Sequence, residues 1–366
     1  MAVHPTVAVT IVTFNSARFI RQCLQHVFEQ DYVPALEVVV VDNDSSDETR
    51  TILQQFEQRA KLVYNEQNVG FAAGQNQAMG LARADWLLAL NPDVRLTPNF
   101  VSLLTAAGEA DTNIGSVCGK LLAMAPDLTI PKEPVFDSTG IFFTPNLRHF
   151  DRGSQMADRG QYERFEYVFG ATGAACLYRR KMMDDIALNG EYFDADFFAY
   201  REDADLAWRA QLYGWKCLYT PLAVAYHVRH VLPETRSSLP ALINMHSVKN
   251  RWLMRIKNIT ADLYARHFIA ITVRDLLVIA GCLLREFSSL RGFVLVARSW
   301  RRTWAKRRTI MQKRRVTNEY MAAWFRHTPV SFPALEVSQK LHAQQVGSPP
   351  SGKRAETMGE ARRREN

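Results

Sequence analysis

LEVVVVDNDSSDET, residues 36–49, decides how the rest of the chain is read. Its first half is apolar at nearly every position, with four valines in a row. A strand that alternates has one dry face; a strand that does not alternate is covered on both faces, as parallel strands in α/β sheets are. The run stops at Asp42-Asn43-Asp44. Ser45 and Glu48 then stand at capping-box spacing, which predicts a helix from there to about Arg59.

The same alternation extends outward. Residues 7–12 (VAVTIV) read as a strand, and 16–29 as a helix with Phe19, Ile20, Leu24, Val27 and Phe28 at helical spacing. Residues 61–64 make a third strand, 70–83 a helix, 86–90 (WLLAL) a fourth strand and 98–109 a further helix. Strand after helix after strand predicts βαβ units and a doubly wound sheet. Such sheets bind ligands at the carboxyl ends of their strands. Three predicted strands end in polar clusters, Thr13-Phe14-Asn15, Asp42-Asn43-Asp44 and Asn91-Pro92-Asp93, so all three are expected along one edge.

The remainder is less regular. Residues 110–165 are rich in Pro and Gly and predict mixed strands and loops. Residues 169–178 (FGATGAACLY) predict a tight turn leading into a strand, 201–214 a helix, and 216–219 and 223–227 two closing strands. Beyond Ser237 the pattern is helical. Ile269, Val273, Leu276, Leu277, Ala280, Leu283, Leu284, Phe287 and Val294 form an apolar stripe. Nine Lys/Arg follow between 298 and 315, with Trp300 and Trp304 among them and no acid. We expect a catalytic domain over 1–236, a basic helical region over 237–343, and a disordered tail over 344–366.

The 366 residues are 47% hydrophobic and 22% charged, enough for a sizeable core, and the net charge of +8 suggests an anionic partner. Cys23, Cys118, Cys176, Cys217 and Cys282 are scattered without CxxC spacing, which argues against a zinc site or disulfide framework and for buried thiols in a reducing compartment. No signal peptide or membrane-spanning run is expected.

Taken together, VTFN (12–15), VVVDNDSSDET (39–49), NVGFAAGQNQAM (68–79), LNPDV (90–94), FGATGAACLYRR (169–180) and FFAYREDADLAWRAQLYGW (197–215) resemble the family-2 inverting glycosyltransferases, and more closely their rhamnosyltransferase-like branch. The resemblance covers roughly residues 6–255. It implies an α/β, GT-A (Rossmann-like) nucleotide-diphospho-sugar transferase fold with a mainly parallel central sheet, here followed by a C-terminal amphipathic helical extension.

The resemblance also implies roles. Asp93 takes the place of the last acid of a DxD motif, which holds a divalent metal (Mg²⁺ or Mn²⁺) on the donor diphosphate. The first acid is Asn91 here, as in the rhamnosyltransferase-like branch; one carboxylate with phosphate oxygens and water suffices for such an ion. By resemblance Asp42 binds the nucleotide, which suits an acceptor facing an imide N–H; Asp44, Thr13 and Asn15 are its neighbours, and Phe14 can stack on a base. Gly70 and Gly74 let backbone approach a ligand, and Asn76 is expected near the nucleoside. Gly173 lies in the small-residue segment under donor sugar and acceptor. Asp203 is the expected general base and Glu202 its neighbour; Asp205 is expected to bind locally or to face solvent. His227 is a candidate second metal ligand. Arg229, His230 and Arg251 are candidate phosphate or acceptor contacts.

The implied donor is a dTDP- or UDP-sugar, with dTDP-L-rhamnose leading, and the implied acceptor a lipid-linked or polysaccharide glycan at the cytoplasmic face of the cell membrane. The cationic, Trp-bearing region 268–315 reads as a peripheral contact with anionic lipid. No nucleic-acid module accompanies it, so nucleic acid is not the expected partner. Alternatively the stripe packs on the catalytic domain or in a homodimer. Two rivals remain for the whole: a sugar nucleotidyltransferase, against which Thr13-Phe14-Asn15-Ser16 lacks the required Gly-rich basic loop, and a non-catalytic membrane or glycan-binding scaffold.

Overall fold

The computed structural model describes residues 5–229 and 241–347. The 236/237 boundary, His230 and the tail beyond 347 lie outside the described residues. The first half runs β1 (Val7–Thr13), α1 (Ile20–Phe28), β2 (Glu37–Asp42), α2 (Thr49–Gln54), β3 (Lys61–Tyr64), α3 (Phe71–Leu81), β4 (Trp86–Leu90), β5 (Val94–Leu96) and α4 (Phe100–Glu109). Then come β6 (Ile114–Ala123), β7 (Phe136–Ser138), β8 (Ile141–Phe143), β9 (His149–Asp151), β10 (Glu166–Val168), β11 (Ala175–Arg179), α5 (Arg180–Ile186), α6 (Glu202–Leu212) and β12 (Lys216–His227). The C-terminal part holds α7 (Ala241–Asn258), α8 (Ala261–Arg266), α9 (Phe268–Leu284), α10 (Arg291–Gln312), α11 (Asn318–Ala323), β13 (Phe332–Pro333) and α12 (Leu335–Gly347).

The main sheet has the order β13-β10-β12-β6-β11-β4-β1-β2-β3. Strands β3, β2, β1 and β4 are all parallel, and β6 with β12 is parallel too. Strand β11 separates these halves and runs antiparallel to both β4 and β6. The unbroken valines of β2 are explained directly. Val39 and Val41 enter the apolar core on one face while Val38 and Val40 enter the core on the other. Helices α1 and α4 cover the second face, and α3, α5 and α6 the first.

Four expectations need correction. The helix after β2 starts at Thr49, not Ser45, because the Ser45 hydroxyl and amide both bond Asp42 instead of capping. It also stops at Gln54 rather than near Arg59. The two closing strands are one, β12, with its register broken between Tyr219 and Val224. Residues 344–347 are helical, as the end of α12.

The region after 237 is also bound into the first domain more closely than its composition suggests. Strand β13 pairs with β10, and Trp324 and Phe325 join Phe143, Phe169 and Trp208 in a buried aromatic cluster. Six of the nine cations between 298 and 315 face protein. Lys306 is buried against Asp194 and Asp196, Arg302 pairs with Asp196, Arg315 with Asp185, and Arg307, Lys313 and Arg314 donate to backbone carbonyls. Arg298, Arg301 and Arg308 are exposed. No helix among the described residues is long and apolar enough to cross a membrane.

Candidate active site

The parallel strands bring the three polar clusters to one edge, as expected. At the β1–β2 end, Asp42 is fully buried and its carboxylate is saturated: Oδ1 accepts from the Thr13 and Ser45 hydroxyls, and Oδ2 from the Ser45 amide and from Arg50 Nε at 2.7 Å. Arg50 covers it and stacks on the Tyr64 ring. Asn15 and Asp44 take positive φ beside it, Asn15 bonding Ser46 and leaving Phe14 half exposed. This end therefore offers a ligand Phe14, Asp44 and Arg50 at its surface, with Asp42 and Thr13 ordering them from beneath.

At the β4 end, Asn91 is fixed to β11 through its amide bond to the Ala174 carbonyl, at 2.8 Å. Two residues on, Asp93 meets β12, whose His227 Nε2 lies 3.5 Å from Asp93 Oδ1. The other imidazole nitrogen bonds Asp137 Oδ2 at 2.8 Å. A carboxylate behind the imidazole, leaving Nε2 aimed at a second carboxylate, is the arrangement that orients metal-binding histidines. Burial lowers the His227 pKa, but Asp137 and Asp93 outweigh it and push it up to about 10. A proton and a cation therefore compete for this position. Among the described residues no group of three His, Cys, Asp or Glu converges. The donor set suits an ion shared between protein and diphosphate rather than an all-protein cage. Arg229 spans Asp137 and Asp151, so its guanidinium is committed to carboxylates.

Helix α6 supplies the second acidic centre. Asp203 Oδ2 accepts from the Gly173 amide at 3.0 Å and Oδ1 from the Ala204 amide at 2.7 Å. Gly173 and Ala174 lead into β11, so this carboxylate adjoins the β4 end. Burial raises the Asp203 pKa; the Gly173 amide opposes this, and Asp151 adds to it. Glu202 is more deeply buried, and burial followed by the charge of Asp203 pushes it well up. Its Oε2 has no hydrogen-bond partner among the described residues. The pair favours one negative charge, and the amides place it on Asp203.

Four expected contacts turn out to be internal. Gly70 adopts φ +88° where a Cβ would collide with Phe198, so its freedom serves packing against protein; at Gly74 a Cβ would meet Val12. Asn76 spends its amide on the 192–193 backbone, accepting from Tyr192 and Phe193 and donating to Phe193. Arg251 is buried and bonded to Asp275 of α9. Sequence reasoning missed Asp137, Asp151 and Arg50, whose partners are distant or unmarked by any motif.

A mixed sheet of this strand order with helices on both faces has the GT-A fold. Residues 8–187 match the model of Glycosyl transferase family 2. The solved structure of GalNAc-T7 with UDP, GalNAc and Mn²⁺ superposes with a TM-score of 0.57 at 14% identity, covering 74% of this chain and 52% of that one. The putative teichuronic acid biosynthesis glycosyltransferase TuaG of Bacillus subtilis (strain 168) is 35% identical over 24% of this chain and 36% of its own. The N-acetylglucosaminyl-diphospho-decaprenol L-rhamnosyltransferase of Mycobacterium tuberculosis (strain CDC 1551 / Oshkosh) is 23% identical over 60% of this chain and 80% of its own. The chain spans about a third of the length of the curated relatives it matches first.

Proposed function

We propose that the chain is an inverting glycosyltransferase moving a sugar from a nucleoside-diphosphate donor to a glycan acceptor in cell-surface polysaccharide synthesis. The observation that carries this reading is Asp203, an amide-held carboxylate with raised proton affinity at the junction with the Asp93 strand end. In this reading Asp203 removes the acceptor hydroxyl proton as that oxygen bonds to the anomeric carbon, and the anomeric bond to the diphosphate breaks. Asp93 and His227 fit a divalent cation; when bound, Mg²⁺ or Mn²⁺ would offset the charge of the leaving diphosphate. Phe14 and Arg50 meet the nucleoside end. The finer donor assignment, dTDP-L-rhamnose, is supported by the mycobacterial relative's name and by Asn91 in place of a first acid. A panel of dTDP- and UDP-sugars with Mg²⁺, Mn²⁺ or EDTA tests it: dTDP release from dTDP-rhamnose is expected. Absence of binding by every donor in calorimetry would overturn the transferase and favour the non-catalytic scaffold.

The acceptor in this reading is lipid-linked, and the enzyme rests peripherally on an anionic bilayer through α9 and α10. The support is an apolar face bordered by cations. Ile269, Leu276, Leu277, Leu284 and Phe287 are each at least 60% exposed. Trp300 and Trp304 stack beside them, ring centroids 5.4 Å apart. Arg285, Arg291, Arg298, Arg301 and Arg308 are exposed around them, and α10 contains no acid. Charge of one sign around apolar side chains suits anionic headgroups. Sedimentation with phosphatidylglycerol but not phosphatidylcholine vesicles is expected. A vesicle-free dimer dispersed by Leu276→Asp would instead assign the face to a second copy.

A further inference from the structure

Three strained residues precede the acid pair of α6. Phe198, Tyr200 and Arg201 all take positive φ, at 66°, 71° and 73°, although none is glycine. Arg201 is the N-cap of α6 and makes no side-chain capping bond there. The first turn of the helix therefore does not set its own start, and an unfavourable backbone persists only where its surroundings impose it.

The imposing group comes from α7. Asn250 is fully buried, and its Nδ2 lies 2.9, 2.8 and 2.8 Å from the carbonyls of Phe197, Ala199 and Tyr200. An amide has two N–H donors, so three acceptors share them. Lys249 bonds the Asp196 carbonyl and the His246 ring stacks on Phe198 at 4.9 Å, both also from α7. Two turns along, Lys257 and Asn258 bind Asp205, just past the acid pair. Helix α7 thus grips the chain on both sides of Asp203 without touching that carboxylate.

We propose that Asn250 is a positioning residue for the transfer: by holding residues 197–201 it sets where α6 begins and so fixes Asp203 on the Gly173 amide. The proposal rests on Asp203 being the base in the reading above. Asn250 is closed to solvent and its amide is spent on backbone carbonyls, so its effect falls on turnover rather than on donor binding.

The test compares Asn250→Ala with Leu253→Ala, a buried core truncation on the same helix, in nucleoside diphosphate release from the panel donors, per folded molecule. A displaced catalytic group costs on the order of 10–100-fold in rate. Asn250→Ala is expected to lose that much kcat with donor KM unchanged, and its amides in 196–205 are expected to exchange hydrogen faster. Leu253→Ala is expected to lose stability but keep kcat and exchange in that segment. Equal kcat in the two variants, or unchanged exchange in 196–205 of Asn250→Ala, would overturn the role. A wild type that binds no donor in calorimetry fails the transferase reading, and with it any part of Asn250 in a reaction. That result appears in the unmodified protein and is distinguishable from a failure confined to the variant.

Discussion

Asp203 and Asp205 occupy one turn of α6 and are held by opposite means. Asp205 is fully buried and is met by Arg209, Lys257 and Asn258. Lys257 also reaches Asp194, which Lys306 closes from α10. Asp203 is half-buried and, among the described residues, is met by two backbone amides. Fixed cations make an acid part of the frame, because its charge is answered permanently. Dipoles alone leave the charge available to a proton. The contrast appears in the titration of the two clusters: Asp203 is raised, by burial first, whereas Lys257 and Lys306 overcome burial and pull Asp194 well below the usual carboxylate range.

The largest effect that tests this contrast is on turnover. Asp203→Asn is expected to lower transfer by about 10²–10⁴-fold, the usual worth of a positioned base, with nucleoside diphosphate affinity retained. The same variant is expected to be no less stable than wild type at neutral pH. A folded-state pKa above the unfolded value stabilises below the unfolded pKa, and that contribution is lost as pH rises through the folded one. At neutral pH the ionised Asp203 is therefore a cost to the fold. A variant that keeps its rate would remove Asp203 from the chemistry; one that unfolds would place it in the frame.

The next effect is on stability. Lys257→Met leaves Asp194 and Asp205 each short of a buried cation, and breaking a buried pair from one side costs about 3–5 kcal/mol. The urea midpoint at neutral pH is expected to fall accordingly. Asp194 has a lowered pKa, so its contribution is present above the unfolded carboxylate value and lost as pH falls through the folded one. The penalty of Lys257→Met should therefore shrink in acid. A penalty independent of pH would mean that lost packing, not unanswered charge, is responsible.

These two clusters were unequally legible in the sequence. The unbroken valines of β2 and the acid behind β4 announced a parallel sheet and the edge where its polar clusters gather, because the local pattern is itself the physical cause. The lysine-bound cluster has no local pattern. Lys306 and Asp194 are 112 residues apart, so the cations between 298 and 315 read as one basic stretch when six of them are spent on protein. Glycines misled in the same way. Gly70 needs its positive φ, but the close approach it permits is to Phe198, a residue far along the chain.

Asp137 was equally hidden, 90 residues from the imidazole it orients, and it offers the finest division between frame and chemistry. It is buried and bonded to His227 and Arg229, and it determines which nitrogen of His227 faces Asp93. Asp137→Asn keeps an acceptor in place and removes the charge that His227 and Arg229 share. Loss of such a supporting carboxylate weakens metal binding by about 10–100-fold. The Mn²⁺ concentration for half-maximal turnover should rise by that factor, while the rate at saturating Mn²⁺ stays near wild type. An unmoved Mn²⁺ dependence with a lower melting temperature would make the Asp93–His227–Asp137 row a structural ion-pair chain, and Asp93 would then act on the diphosphate, if at all, without the histidine.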